Sequence, residues 1–317
     1  MSLYLKYRPT TLDDVVGQDD AVKLLKAVVA MPKEDRPKVF LLAGASGCGK
    51  TTLARAFARA IGVDPNRTDF FEQDASKDRS IDTIRTMCNS MGNRPMNPRA
   101  DGRVYLIDEC HQLLKPAQEA LLKKCEDTPP GTYIFFCTTE PNSLGNALRS
   151  RCKCLTIRPL TTTELVTNLK RVATAEGVDA SDAILRKIAD NSDGSARVSL
   201  QLLESYILQG DVDKAIRLSA GMGEQVVADT RALCQAIMNR EASWDAVMVF
   251  CNSYRGQSES VRQAILGYLR VCLLNSKTVA KRRYAMSLME CFLEPHYDCG
   301  DAALVYQLAV AFELKNA

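Results

Sequence analysis

The segment GASGCGKT, Gly44 to Thr51, has the residue types and the spacing of a phosphate-binding loop. A phosphate chain needs closely spaced backbone N–H donors, and glycines allow a loop to wrap around it because no Cβ blocks the approach. Gly47 and Gly49 serve that need. We expect Lys50 to reach the β- and γ-phosphate oxygens and the Thr51 hydroxyl to bind Mg²⁺. A glycine turn that only joins a strand to a helix would not require the lysine and the threonine in register.

Two carboxylates, Asp108 and Glu109, follow a strand-like apolar run in VYLIDECH (104–111). Ligands of open α/β sheets bind at the carboxyl ends of the strands. Asp108 is expected to hold Mg²⁺, directly or through water, and Glu109 to polarise the water that attacks the γ-phosphorus. A solvated strand end explains two acidic residues alone, but it explains them poorly beside a matched phosphate loop. His111 also fits a helicase-type DExH box, although a single histidine is more often an ordinary loop residue.

The overall composition constrains the function only loosely. With 317 residues the chain is too long for one typical small domain and predicts two or three domains. Its 41 basic and 38 acidic residues give a formal charge of +3, which does not by itself argue for nucleic acid. No apolar run approaches the roughly 20 residues of a membrane span. Any DNA binding must therefore come from local clusters of basic residues.

The twelve cysteines would suggest a disulfide framework in a secreted protein, but MSLYLKYRPT at the N-terminus has no apolar signal core. Reduced thiols and a cytosolic protein are therefore expected. A structural zinc site would need paired ligands such as CxxC. Cys152 and Cys154 are separated by a single residue and the sequence contains no CxxC, so zinc binding is disfavoured.

Strand-like and helical segments alternate in the first half of the chain, which is typical of a parallel sheet covered by helices. Three runs are almost continuously apolar, as strands buried on both faces should be: KVFLLAG (38–44), RVYLIDE (103–109) and TYIFFCTT (132–139). Helices are predicted over KTTLARAFARAIG (50–62) and PAQEALLKKCED (116–127).

From residue 161 onward the pattern becomes helical. Threonine caps followed by Glu164 begin a helix that ends at Gly177, and two further helices over about 181–192 and 195–208 complete a three-helix unit. After GMG at 221–223 the chain has the pattern of amphipathic helices without a chemical motif. Domain boundaries are therefore expected near residues 160 and 222.

With these motifs in place, the sequence resembles the AAA+ ATPases, and among them the clamp-loader ATPase subunits that open sliding clamps for DNA polymerases. The resemblance is carried by four segments in the family's order: YLKYRPTTLDDVVGQDDAVKLL (4–25), SIDTIR (80–85), LIDECHQLLKPAQEALLKKCEDTPP (106–130) and TTEPNSLGNALRSRC (138–152). It implies an α/β P-loop AAA+ domain with a parallel sheet over residues 1–160, an α-helical lid over 161–222 and an α-helical collar for oligomerisation over 223–317.

The resemblance also implies roles for residues outside the phosphate loop. SRC at 150–152 is similar to the clamp-loader signature, so Arg151 is expected to be an arginine finger for the ATP site of the next subunit. Thr139 matches the sensor that orients water or the γ-phosphate, and Arg197 matches the lid arginine that touches the phosphates. For both arginines the alternative is an ordinary surface residue.

The expected site residues fall into three sets. Those that bind ATP are Gly44, Ala45, Ser46, Gly47, Cys48, Gly49, Lys50, Thr51, Thr52 and Arg197, with Tyr7, Arg8, Pro9, Val16 and Gly17 closing over the adenine. Those that bind Mg²⁺ are Thr51 and Asp108. Those that act in catalysis are Lys50, Asp108, Glu109, Thr139, Arg197 and, from the neighbouring subunit, Arg151.

Basic residues and methionines near this site predict two further surfaces. Phosphate contacts with primer-template DNA need charge but no base-reading geometry; the candidates are Lys77, Arg79, Arg85, Lys115, Lys123 and Lys124. For each of them a solvated helix face is an equal alternative. Flexible thioethers suit an adaptable surface against a sliding clamp, although methionine is more often buried; the candidates are Met87, Met91 and Met96.

The predicted function is that of a clamp-loader ATPase subunit in DNA replication. It would use MgATP to assemble in a pentamer-like ring with copies of itself or a different chain, and it would hold a clamp open on primer-template DNA until hydrolysis releases both. The alternatives are another AAA+ DNA motor, of the helicase-loader or branch-migration type, and a nucleotide-binding scaffold.

Two features depart from the extended bacterial loaders. Those subunits carry a four-cysteine zinc insertion before the Asp108 strand, where this chain has only Cys88, and the chain ends at residue 317 without a polymerase-binding extension. Both features resemble the compact subunits of phages, archaea or eukaryotes, whereas the N-terminal segment is similar to the bacterial type. The resemblance therefore allows a virus-encoded loader, and it implies action in the cytosol of a bacterium or of a phage-infected host cell.

Overall fold

The chain forms two compact units, Met1–Gly210 and Asp211–Ala317, in the computed structural model. The structure describes residues 1–78, 80–219, 224–276, 278–294 and 300–314. The sheet and the helices predicted as a lid all belong to the first unit. The finer boundaries near residues 160 and 222 remain a prediction.

The first unit is built on a five-stranded parallel sheet with the order β2-β3-β4-β1-β5. The strands are β1 (Val39–Ala43), β2 (Phe70–Asp74), β3 (Arg103–Asp108), β4 (Thr132–Thr138) and β5 (Lys153–Thr156). The three central strands are those that the apolar runs predict, and their side chains are buried almost throughout. Since β4 lies between β1 and β3, the loops after β1 and β3 open on either side of the end of β4.

Helices cover both faces of this sheet. Those of the first unit are α1 (Leu3–Lys6), α2 (Asp19–Ala30), α3 (Lys50–Ala60), α4 (Ile81–Ser90), α5 (Lys115–Glu126), α6 (Asn146–Ser150), α7 (Thr162–Ala175), α8 (Asp182–Asp190) and α9 (Ala196–Gln209). On one face, Phe57 of α3 packs against Phe40 and Phe135 of the sheet, whose rings stack at 4.7 Å. On the other face, Ile84 and Leu121 bury α4 and α5 against the same strands. The prediction of an α/β P-loop domain followed by helices is confirmed.

Helix α7 begins with the capping box that the sequence predicts. The Thr161 hydroxyl accepts the backbone N–H of Glu164, and the Glu164 carboxylate accepts the backbone N–H of Thr161. Glu164 also receives two hydrogen bonds from Arg158, at 2.8 and 2.6 Å. The chain between β5 and α7 is thereby tied to the first turn of the helix.

Replacing Glu164 by glutamine is expected to destabilise the protein at neutral pH and to have less effect in acid. The Arg158 guanidinium, followed by the Thr161 groups and against the effect of burial, lowers the pKa of Glu164 from 4.5 to about 2. A pKa lowered by folding stabilises the folded state above the unfolded pKa, and this contribution is lost as the pH falls through the folded value. The difference in urea midpoint between wild type and Glu164→Gln should therefore shrink from pH 4.5 towards about 2.

Arg158→Gln is the matched variant for this pH series. Its effect and that of Glu164→Gln should be less than additive in the double variant, because both remove the same ion pair. Equal urea midpoints for wild type and Glu164→Gln at neutral pH would contradict the assignment.

The second unit is helical throughout its described residues. Its helices are α10 (Val212–Ser219), α11 (Glu224–Met238), α12 (Trp244–Ser253), α13 (Ser258–Asn275), α14 (Val279–Cys291) and α15 (Gly300–Glu313). Val247, Ile265 and Leu308 lie in its apolar core. Arg262 is also buried; it pairs with Glu259 and donates to the Phe292 carbonyl at 2.7 Å. A buried charge with these partners is satisfied within the unit.

The cysteines in the described part of the chain are all free thiols. Burial raises the pKa of Cys152 to about 12 and raises those of Cys110 and Cys125 further. These thiols are therefore protonated at neutral pH and pack as small apolar side chains. Among the same described residues, none of the helices combines the length and apolarity that crossing a membrane requires.

Candidate nucleotide-binding site

A cavity of about 560 Å³ lies in the first unit, where the chain leaves the carboxyl ends of β1, β2 and β3. This volume suits a small-molecule ligand. Four parts of the chain line the cavity: the N-terminal segment, the loop before α3, the ends of β2 and β3, and the lid helices α7 and α9. Of the predicted site residues, the lining includes Tyr7, Arg8, Pro9, Val16, Ser46, Gly47, Cys48, Gly49, Lys50, Thr51, Thr52, Asp108, Glu109 and Arg197.

The loop between β1 and α3 has the geometry that its glycines predict. Gly49 precedes the first turn of α3 with a φ of +103°, a conformation that side chains disfavour. Lys50 begins the helix and is only 6% exposed. Its Nζ donates to the carbonyl oxygens of Gly44 and Ala45, at 2.9 and 3.0 Å. The lysine ammonium therefore lies inside the curve of the loop, at the positive end of the α3 dipole.

The Thr51 hydroxyl and the Asp108 carboxylate meet across this loop. Thr51 Oγ1 donates to Asp108 Oδ2 at 2.8 Å. Two adjacent oxygens of this kind suit Mg²⁺, which usually binds one or two protein oxygens together with the phosphates of a substrate. The described residues contain no group of three or more His, Cys, Asp or Glu side chains that could hold a metal ion by themselves. The donor set thus fits a magnesium ion delivered with a nucleotide.

The lid closes the cavity from the other side, where the first turn of α9 approaches the phosphate loop. Ser195 caps α9, and a Cβ at Gly47 would lie 2.1 Å from the Ser195 hydroxyl, so the cap would have to shift; the φ of +75° at Gly47 also favours glycine. Arg197 lines the cavity, with its guanidinium 5.9 Å from the centre of the Tyr4 ring. The lid thereby presents both a helix N-terminus and a cation to the loop, and both favour an anion.

The N-terminal segment is fastened to the lid helices rather than lying free. Tyr7 and Lys6 both donate to the Glu176 carboxylate, at 2.5 and 2.7 Å, and the Ser2 hydroxyl donates to Glu204 at 2.5 Å. Burial, followed by the nearby charge of Arg55, lowers the pKa of Arg8, which lines the cavity. This wall of the cavity therefore contributes the Arg8 guanidinium and is bonded to the lid.

The structure adds cavity residues that the sequence motifs did not indicate. They are Tyr4, Val15, Asp74, Ser76, Leu160, Asn168, Ala196, Leu200 and Gln201. One of them left a signal in the sequence. Asn168 is a buried amide between Leu165 and Leu169 on the apolar side of α7, and a polar residue at a buried helix position often faces a ligand or a partner.

Some predicted residues lie outside the cavity lining: Gly17, Gly44, Ala45, Thr139 and Arg151. Gly44 and Ala45 still contribute, since their carbonyl oxygens hold Lys50. Strand β4 ends at Thr138, which is fully buried, and Thr139 follows it. The buried hydroxyl at this strand end therefore belongs to Thr138, one residue before the predicted sensor.

Arg151 lies at the end of α6 and faces solvent. Its side chain is 45% exposed and pairs at 3.0 Å with Glu126, the last residue of α5, which is 46% exposed. An exposed ion pair of this kind contributes little stability. Arg151 is therefore displayed on the surface of the first unit and is not part of the cavity of its own chain.

The candidate DNA residues are mostly exposed, on or beside α4 and α5. Lys77 lines the rim of the cavity, 3.3 Å from Asp74, and Arg85 lies 3.8 Å from Asp82. Lys115 and Lys123 are exposed and Lys124 is half-buried. Arg79 lies outside the described residues. Their role in binding DNA remains a prediction.

The clamp-contacting role predicted for two of the three methionines is wrong for this fold. Met87 and Met91 are buried in the core between α4, α5 and the sheet, because α4 turns this side towards α5. A thioether inside a packed core cannot contact a partner. Met96, at 69% exposure, is the one of the three that faces solvent.

Comparisons with known proteins agree with this architecture. Three family models match: the DNA polymerase III delta subunit over residues 65–161, the RCF1/5-like AAA+ ATPase lid domain over 167–208, and the bacterial TniB protein over 13–91. Among solved structures, the RuvB Holliday junction branch migration motor of Thermotoga maritima superposes with a TM-score of 0.55 at 25% identity, covering 73% of this chain and 79% of that chain.

Two curated relatives are similar in sequence. The DNA polymerase III subunit gamma/tau of Mycoplasma pneumoniae is 32% identical over 220 residues, which are 64% of this chain but 32% of the relative. The replication factor C small subunit of Aeropyrum pernix is 31% identical over 215 residues, 67% of this chain and 65% of the relative. The chain thus spans less than two thirds of the length of either relative. The sheet order, the lid domain and these relatives together show that the chain belongs to the AAA+ ATPases and is a homologue of the clamp-loader subunits.

Proposed function

We propose that this chain is a clamp-loader ATPase subunit, which binds MgATP in the cavity of the first unit and completes its catalytic site only next to another subunit. One observation carries the proposal. The cavity gathers the phosphate loop, Asp108, Glu109 and the lid arginine, whereas Arg151 lies on the exterior of the same unit. Because Arg151 lies on the surface and outside the cavity, it can reach the cavity of an adjacent chain. This arrangement suits a ring in which each chain supplies its arginine to the site of its neighbour.

The residues of the cavity divide the chemistry between them. Lys50 balances phosphate charge, while Thr51 and Asp108 hold the magnesium ion, which supplies further neutralisation when it is bound. Glu109 directly follows Asp108 and lines the cavity, so it orients the attacking water and draws its proton away. Arg151 of the adjoining protomer neutralises the charge that develops on the γ-phosphate oxygens.

The lid gives hydrolysis a mechanical consequence. Arg197 belongs to α9, and the N-terminal segment is bonded to α7 and α9 through Glu176 and Glu204. A γ-phosphate that Arg197 contacts favours a closed lid, and its loss removes that preference. ATP therefore acts mainly as an assembly ligand, which holds the subunits, the sliding clamp and primer-template DNA together until hydrolysis. The exposed basic residues on α4 and α5 supply contacts to the DNA backbone.

The test measures MgATP hydrolysis by the full chain alone, with primer-template DNA, and with a sliding clamp and candidate partner subunits, while ultracentrifugation follows assembly. Low turnover alone, MgATP-dependent assembly and stimulation by clamp and primed DNA are expected. The proposal would be contradicted by a dilute monomer that hydrolyses ATP at its maximal rate and does not respond to the clamp or to primed DNA.

The structural likeness to RuvB supports a second candidate, a branch-migration motor. Such a motor would move or unwind branched DNA with no clamp present. Unwinding of a four-way junction by the chain and MgATP alone would favour this function over clamp loading. The sequence relatives, at 31% and 32% identity, favour the clamp loader.

A further inference from the structure

Glu109 is held in an unusual way, which the catalytic assignment alone does not explain. Its φ is +48°, in the left-handed region that residues other than glycine seldom adopt, and the 3₁₀ turn Cys110–Gln112 follows it directly. The side chain is 30% exposed and lines the cavity, yet its Oε2 atom is buried without a hydrogen bond of normal length. One carboxylate oxygen is therefore buried inside the protein, although the side chain lines the cavity.

The group beside that oxygen is the imidazole of His111. Its Nδ1 lies 3.5 Å from Glu109 Oε2 and 3.1 Å from the hydroxyl of Thr138. The imidazole is only 9% exposed. The Thr138 hydroxyl in turn accepts the backbone N–H of Glu140 at 2.9 Å. His111 is thus fixed by the end of β4 and reaches back to the carboxylate that follows β3.

Two oxygens lie close to a single ring nitrogen, and one tautomer suits both of them. A proton on Nδ1 is attracted to both the Thr138 hydroxyl and the Glu109 carboxylate. A bare lone pair on Nδ1 would face the negative carboxylate at 3.5 Å, which is unfavourable in a buried place. An Nδ1–H donor is the arrangement that suits both contacts, with Oε2 turned inward and Oε1 left towards the cavity.

We propose that His111 is a positioning residue for Glu109: its Nδ1–H, held by Thr138, anchors one carboxylate oxygen so that the other meets the attacking water. This inference rests on the proposed function, since it assigns His111 to the same ATP site. Through Thr138, His111 also couples the end of β4 to Glu109. Strand β4 lies between β1, which precedes the nucleotide loop, and β3, which ends at Asp108. Partners that orient metal ligands contribute about 10- to 100-fold in metal affinity or activity, and we expect an effect of the same order for a partner that orients Glu109.

Three substitutions at one position test the geometry. His111→Ala removes the donor, and kcat for MgATP is expected to fall about 10- to 100-fold while KM changes little, because Lys50 and Thr51 still hold the nucleotide. His111→Asn places an amide N–H near the position of Nδ1 and should restore most of the rate. His111→Gln is the matched control, since its amide reaches the position of Nε2 and should restore little.

A double-mutant cycle separates positioning from a structural role. In a Glu109→Gln background, His111→Ala should lower the residual rate less than about twofold, since its effect passes through the carboxylate. Three outcomes would each overturn the inference. They are an equal loss of rate in both backgrounds, rescue by glutamine but not by asparagine, and an unchanged kcat in a folded His111→Ala chain. Such results leave the proposed function intact if the wild type still responds to clamp and primed DNA.

A spectroscopic measurement makes the test independent of ATPase activity. In ¹⁵N NMR of the full chain without nucleotide, the His111 imidazole is expected to carry its proton on Nδ1. Glu109→Ala should shift that resonance, whereas Glu119→Ala on α5 should not. A proton on Nε2 alone, or a spectrum indifferent to Glu109, would refute the contact even if the chain proved inactive.

Discussion

Arg151→Ala is expected to leave ATP binding by the isolated chain unchanged and to lower turnover in the assembled ring by about 10³- to 10⁵-fold. The arginine lies outside the cavity of its own chain, so the grip of Lys50 and Thr51 on the nucleotide does not depend on it. Its always charged, planar guanidinium suits the γ-phosphate oxygens of a neighbour. The check is to measure the nucleotide affinity of the monomer and the ATPase rate of the assembly side by side. The first should be unchanged and the second should fall.

The contacts around Arg151 provide matched controls. Arg149 belongs to the same helix and bonds to Asn142 within its own chain, so Arg149→Ala should retain turnover. Glu126→Gln removes the partner that holds Arg151 in the free chain, and it should not lower turnover, because Arg151 must leave Glu126 to enter the next site. Weakened ATP binding by the Arg151→Ala monomer would place the arginine in its own site and contradict the shared-site proposal.

Mixing two defective chains sharpens this result. A ring that contains both Arg151→Ala and Lys50→Ala chains has interfaces at which an intact phosphate loop meets an intact arginine. Turnover should return in the mixture although neither variant hydrolyses ATP alone. Recovery of this kind requires that the two residues act at one site from different protomers, so its absence in a ring that assembles would exclude a shared site.

The central strands were predictable from sequence because they are buried on both faces. The runs at 38–44, 103–109 and 132–139 correspond to β1, β3 and β4 within one residue at every boundary. The edge strands β2 and β5 have no comparable apolar run. In β2 only Phe70 is buried and the last three residues of FFEQD are polar, and in β5 only Leu155 is buried. An edge strand pairs on one side only and has less apolar surface to bury, so no continuous apolar run marks it.

For the site, too, the residues marked by a local sequence pattern were predictable, whereas those placed by tertiary packing were not. Lys50, Thr51, Asp108 and Glu109 stand in local motifs whose spacing alone fixes their chemistry, and the cavity contains all four. The lid wall, including Asn168, depends on how distant helices pack, and no local spacing encodes that packing. The prediction that Met87 and Met91 contact a clamp was wrong for a related reason. Periodicity shows that α4 has an apolar side, but only its packing on α5 shows that Met87 lies inside it.

A single residue decides the assignment at the end of β4. Successive side chains of a strand point to opposite faces, so an error of one residue changes which hydroxyl faces the site. The sequence offers two threonines there, and the family resemblance selected Thr139. The structure buries Thr138 in contact with His111, and the sensor role of Thr139 stays a prediction. The contact of Thr138 depends on the strand register, and for that reason the link from β4 to Glu109 was not visible in the sequence.

Lys50→Ala is expected to weaken ATP binding by about 2–5 kcal/mol, the usual loss when one member of a buried, hydrogen-bonded charge pair is removed. This corresponds to roughly 30- to 4,000-fold in Kd. The ammonium is buried and already directed into the loop by the carbonyl oxygens of Gly44 and Ala45, so no other cation can take its place without rebuilding the loop. Titration calorimetry with ATP, with Mg²⁺ and with a chelator, measures the loss.

Thr51→Ala is the control that separates the lysine from the metal site. The Thr51 hydroxyl bonds Asp108, so its loss should weaken binding only when Mg²⁺ is present, whereas the loss at Lys50→Ala should persist in the chelator. Because the alanine at position 50 also leaves two loop carbonyl oxygens without a donor, the unfolding midpoint of each variant is measured in parallel. A folded Lys50→Ala chain that binds ATP as tightly as the wild type would show that the phosphates bind elsewhere, and the clamp-loader assignment of this cavity would then fail.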